Sequence, residues 1–102
     1  MRIWDLHCHM SNVGGRTVHE RMARLIEYAD RMEVERLCFF MGLSFVNQPS
    51  PERLRLENDQ VLEALEHWHH RAFGFAYCSG EHPEASVAEI DAMNVLRASQ
   101  LA

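Results

Sequence analysis

Three short apolar runs, separated by stretches whose apolar residues recur at helical spacing, limit the folds open to this chain more than any other feature. The runs are residues 2–8, residues 35–41 (ERLCFFM) and residues 72–77 (AFGFAY). The second and third are apolar on both parities, as strands buried on two faces must be. Between the runs the period changes. Val18, Met22, Leu25, Ile26 and Ala29 fall on one stripe, which predicts a helix over about 17–32 opened by Thr17 and Glu20 as a capping box. Ser50 followed by Pro51 predicts a second helix over about 51–70, with Leu54, Val61, Leu65 and Trp68 facing inward. Pro83 and the spacing of Val87 and Ile90 open a third helix, and the closing NVLRASQLA reads as more helix or a frayed end. Turns are expected at Ser11-Asn12 and Gly14-Gly15, Gly42 closes the second strand, and loops follow the second and third strands.

The order β-α-β-α-β-α implies an α/β fold with a parallel sheet and right-handed helical crossovers. A chain of 102 residues can bury one modest core, so residues 1–102 form a single domain. The helices cover one face of such a sheet. The other face is left without a cover from this chain, which predicts self-association.

Charge narrows the function classes. The net charge is -5 with no clustered basic stripe, so phosphate-backbone attraction has little to act on and nucleic acid is not an expected partner. No stretch approaches the roughly 20 apolar residues of a membrane span, and no apolar leader opens the chain, so a cytoplasmic protein is expected. All ten basic residues are arginine, which excludes Schiff-base chemistry and a lysine carbamate ligand within these residues. Cys8, Cys38 and Cys78 are odd in number and far apart, as reduced thiols are.

The first strand carries the chemistry. Residues 4–9 read WDLHCH, and in a regular strand Asp5, His7 and His9 share one face while Trp4, Leu6 and Cys8 share the other. Two imidazoles at i and i+2 can bring ring nitrogens to about 2.1 Å from one divalent cation, so the pair is a metal half-site. Imidazole suits zinc, iron, manganese or nickel. Asp5 is placed to orient an imidazole or to act as a further ligand. The competing reading, hydrogen-bonded core histidines, must accommodate three polar side chains on one face. Each left unpaired in the interior costs about 1–3 kcal/mol.

The D-L-H-C-H of Asp5 to His9, followed by a helix and an apolar strand, resembles the opening of the amidohydrolase superfamily, metal-dependent hydrolases built on a (β/α)8 barrel. The resemblance implies that His7 and His9 are metal ligands, with zinc the first expectation and manganese or iron the others. It further implies that metal-bound hydroxide attacks the carbonyl of an amide, ester or lactone in a small-molecule substrate. Such a barrel takes about 250 residues, and at least about 200, so this chain corresponds to its first three β-α units and is expected to be truncated. The family's later histidines, its bridging lysine or glutamate and its final aspartate have no counterparts here. The catalytic base is therefore unassigned, and the isolated chain is expected to turn over little substrate. One alternative is a phosphoesterase of the polymerase-and-histidinol-phosphatase type, which also opens with H-x-H. Met10, Ser11 and Asn12 depart from its pattern. Another is a catalytically inactive fragment that binds metal or serves in assembly.

Other polar residues read as structural. His67 and His70 fall in the last turn of the second helix, where the helix dipole and Glu63 and Glu66 at i-4 favour a solvated end. His82 and Glu81 lie in the loop after the third strand, where barrel active sites gather, and read as solvated. Cys78 has no visible base beside it, His19 reads as surface, and Met41, Phe39 and Phe40 read as core. Gly14 and Gly15 lack a dinucleotide-binding context and read as loop.

Overall fold

The computed structural model describes residues 3–10, 13–40 and 48–101, with 94–101 described as backbone. The turn expected at Ser11-Asn12, the core position of Met41 and the loop beginning at Gly42 lie outside these residues. Six elements follow in order: β1 (Ile3–Cys8), α1 (Val18–Arg31), β2 (Val34–Phe39), α2 (Pro51–Trp68), β3 (Ala72–Gly74) and α3 (Pro83–Leu101). The strands form one parallel sheet in the order β1-β2-β3, so the chain has the α/β architecture that its alternating periods imply. Among the described residues no helix is long and apolar enough to cross a membrane.

Local chemistry sets the boundaries. The Thr17 hydroxyl accepts from the Glu20 amide at 3.1 Å, and the Glu20 carboxylate accepts from the amides of Arg16 at 2.7 Å and Thr17 at 3.3 Å, which closes the capping box. After α1 the chain reverses through Glu33 at a φ of 60°, the left-handed conformation that often follows a helix end. Ser50 caps α2 by accepting from the Arg53 amide at 3.1 Å, with Pro51 in the first turn where its missing N–H is not needed.

The core lies between the sheet and the helices. Met22, Ile26 and Ala29 of α1 meet Leu37 and Phe39 of β2 and Val61 and Leu65 of α2. α2 rests directly on β3, because a methyl group added at Gly74 would collide with Val61 Cγ1 and stand 3.0 Å from Leu65 Cδ1. Arg71 ties the lower end together: its guanidinium donates to the Asp30 carboxylate at 2.7 Å and to the carbonyls of Glu35 at 2.9 Å and Val34 at 3.2 Å.

Two expectations change, on β3 and β1, while the third helix opens at Pro83 as expected. The third strand was expected over 72–77 and ends at Gly74. One further ladder bond, Phe75 N–H to the Phe39 carbonyl at 2.9 Å, follows, and Phe75 is half exposed. Tyr77 takes a side chain in place of a strand: Asn58 Nδ2 donates to its carbonyl at 3.0 Å and Asn58 Oδ1 accepts from its amide at 2.7 Å. On α3 the apolar pair Val87 and Ile90 is exposed, while Ser86, Glu89 and Met93 face the protein. Ser86 turns inward because its hydroxyl accepts from the Ser79 amide at 2.9 Å and donates to the Ser79 carbonyl at 3.1 Å. The regular alternation expected along β1 is also broken. Asp5 pairs with Leu37 and Cys8 with Phe39, so β1 takes three steps where β2 takes two. On the outer surface, Arg36 lies over the rings of Trp4 and Phe73, with its guanidinium carbon 5.8 and 5.3 Å from their centres.

Candidate metal centre

The bulge in β1 decides which side chains meet at its end. An extra residue reverses the parity beyond it, so Asp5 shares the inward side with Ile3 and Cys8, while His7 points out to solvent. The expected face of Asp5, His7 and His9 is thereby split. Asp5 does not orient an imidazole; its Oδ1 accepts from the backbone amide of His7 at 3.0 Å and satisfies a group that the bulge withdraws from the ladder.

His7 and His9 remain on one side, and their rings converge. The two Nε2 atoms lie 3.2 Å apart, with ring centres 4.9 Å apart and planes nearly perpendicular. His9 Nδ1 lies 3.1 Å from the Phe40 carbonyl, an acceptor only, so Nδ1 carries the proton and Nε2 presents its lone pair. Two nitrogens bound to one tetrahedral ion at about 2.1 Å would be about 3.4 Å apart, close to the separation found. Without an ion the same distance suits a hydrogen bond from His7 Nε2–H to His9 Nε2. Phe40, expected in the core, is half-buried and packs edge-on against both imidazoles, with ring centres 5.1 Å from His7 and 4.6 Å from His9. Among the described residues no third His, Cys, Asp or Glu joins this pair in a ligand cluster.

Cys8 turns away from the pair, as its position beside the histidines implies, and its thiol donates to the Cys38 carbonyl at 3.5 Å. Burial, with the Asp5 carboxylate and then the Cys38 thiol adding to it, pushes Cys8 up to about 12. Cys38 is raised by burial first and by Asp5 second. Both therefore stay protonated at neutral pH and are poor thiolate ligands. Alkylation at pH 8 is expected to label exposed Cys78 first and leave Cys8 and Cys38 largely intact, as peptide mass mapping of the folded protein would show. The raised value also sets a pH limit. Below pH 9.0 the Cys8 thiol is protonated whether the chain is folded or not; between 9.0 and about 12 only the unfolded chain ionises, so Cys8 makes stability fall across that window.

The remaining sequence candidates fall into two groups. Glu81 and His82 belong to the turn that opens α3, where the Glu81 amide donates to the Ser79 hydroxyl and the His82 carbonyl accepts from the Ser86 amide at 2.9 Å. His70 lies beyond the end of α2, stacked on Trp68. His67 and His19, both expected to be solvated surface residues, meet instead across α1 and α2 with ring centres 4.5 Å apart.

Periodicity also passed over a buried polar pair. Glu57 and Asn58 are fully buried on the inward stripe of α2, between Leu54 and Val61. Glu57 pairs with Arg53 Nη2 at 2.7 Å, and its charge adds to burial in raising the Tyr77 phenol. The signal was present in the sequence, since positions 57 and 58 complete the apolar spacing with polar residues. A cleft of about 580 Å³ runs along α1 past Gly14, Arg24, Glu27 and Trp68 and does not include the histidine pair of β1. Comparison with family models, curated proteins and solved structures returned no match to this chain.

Proposed function

We propose that the chain holds a divalent metal ion between His7 Nε2 and His9 Nε2 and serves in metal-dependent hydrolysis of a carbonyl substrate, as the amidohydrolase-like D-L-H-C-H implies. The observation that carries this reading is the convergence of the two Nε2 atoms to 3.2 Å, with the His9 tautomer fixed by the Phe40 carbonyl. A bound divalent ion supplies Lewis acidity and lowers the pKa of a coordinated water toward about 7. The protein's own part is to hold the two rings. The Phe40 ring packs against both, the Phe40 carbonyl sets the proton on His9 Nδ1, and the Asp5 carboxylate holds the His7 backbone amide. Bonds to carbonyls and carboxylates behind a ligand of this kind typically matter by 10–100-fold in affinity. The barrel to which three β-α units would belong is part of the same proposal.

The test is metal content, measured by elemental analysis after zinc loading and gel filtration, of the wild-type chain and a His7→Asn/His9→Asn variant. The variant is expected to hold one equivalent less. Equal content would remove the ion from β1. The same samples assayed on activated ester, amide and phosphoester substrates are expected to show little turnover, as three β-α units of a larger barrel should; chelator-sensitive residual turnover confined to carbonyl substrates supports the proposed class, and phosphoester turnover overturns it.

A further inference from the structure

We infer that His19, Glu66 and His67 form a separate divalent-metal site that clips α1 to α2. Nothing at the end of β1 contributes to it. One ligand atom from each of the three lies within 4.8 Å of the others. His19 Nε2 faces two carboxylates, Glu66 Oε2 at 3.9 Å and Glu63 Oε1 at 3.8 Å, and the His67 ring lies against it at 4.5 Å between centres. His19 Nδ1 is enclosed with no hydrogen-bond partner, so Nε2 is the nitrogen that this ring offers. On α2, Glu63, Glu66 and His67 stand at i, i+3 and i+4, one face of the helix.

The donor set selects the ion. Two imidazoles with carboxylate oxygen suit zinc, cobalt(II) or nickel and not the all-oxygen preference of magnesium or calcium. Glu63 and Glu66 together balance a double positive charge, and three protein ligands leave a position for water. Ligands on one tetrahedral ion stand about 3.4 Å apart, so the cluster must tighten by about an ångström. The side chains of Glu63 and Glu66 are about half exposed and free to make that adjustment. Because the ligands come from two helices, the ion binds only the folded arrangement and stabilises it.

Cobalt(II) is the probe, titrated into chelator-stripped full chain and followed by visible absorption and thermal unfolding. Wild type and the His7→Asn/His9→Asn variant are both expected to gain a ligand-field band, and a melting temperature raised by about 10 °C at a hundredfold excess over Kd. A His19→Asn/His67→Asn variant is expected to lose the part of the shift that wild type and the His7→Asn/His9→Asn variant share, and so to melt below cobalt-loaded wild type, while keeping the far-UV spectrum of the native fold. Glu66→Gln, which alters one ligand atom on an exposed side chain, gives the same answer with the least disturbance to packing and is expected to weaken binding. A shift of equal size in wild type and in both of these variants overturns the site, as does no shift in wild type. Loss confined to the His7→Asn/His9→Asn variant assigns the ion to β1 and overturns this inference alone.

Discussion

Replacing Phe39 by alanine is expected to lower the free energy of unfolding by about 3–5 kcal/mol. Phe39 is fully buried at the point where all three strands meet, paired with Cys8 on one side and Gly74 on the other. Its ring belongs to the cluster that joins α1 and α2 to the sheet, so truncation leaves a cavity that both helices would have to move to fill. A domain of this size is stable by about 5–15 kcal/mol in all, so the loss is a large part of the whole. Urea unfolding followed by circular dichroism reads it directly. A change below about 1 kcal/mol would mean that the ring does not fill the core as described.

Asn58→Leu is expected to cost about 2–4 kcal/mol, although it places an apolar side chain at a buried position. Asn58 supplies both hydrogen bonds to the backbone of Tyr77 where β3 has ended. Leucine removes both of these hydrogen bonds from a partly buried stretch of backbone, and a polar group that gives up a bond there loses more than the apolar side chain returns. The loss would be local as well as global. Amide exchange at Tyr77 is expected to speed up relative to β2, and an unchanged rate would show that water or a neighbour replaces the side chain.

These two positions mark where the sequence could and could not be read. Phe39 sits in a run apolar on both parities, and burial on both faces follows from that pattern alone. The helix starts were equally legible, because Thr17 with Glu20 and Ser50 with Pro51 act within a few residues. For Asn58 the spacing on α2 could have given burial but not the role, because its partner lies 19 positions away. The split of Asp5 from the histidines was hidden for a related reason. A bulge depends on register between two strands, and nothing in WDLHCH alone fixes it. The pairing of His7 with His9 survived because residues two apart keep the same side beyond the extra residue. His19 and His67 are 48 positions apart and meet only because α1 packs against α2, a contact that no local spacing encodes.

The register of β1 on β2 also bears on the order in which the molecule is assembled. Ile3 pairs with Val34 and the His9 ring rests on Phe40, each contact spanning 31 positions of chain, and a parallel pair offers no tight hairpin to bring them together early. The convergent rings are therefore a product of chain closure and not a seed for it. An ion gripped at that tip would leave the speed of refolding little changed and would retard escape from the native state, because only the completed ladder aims both nitrogens at one point.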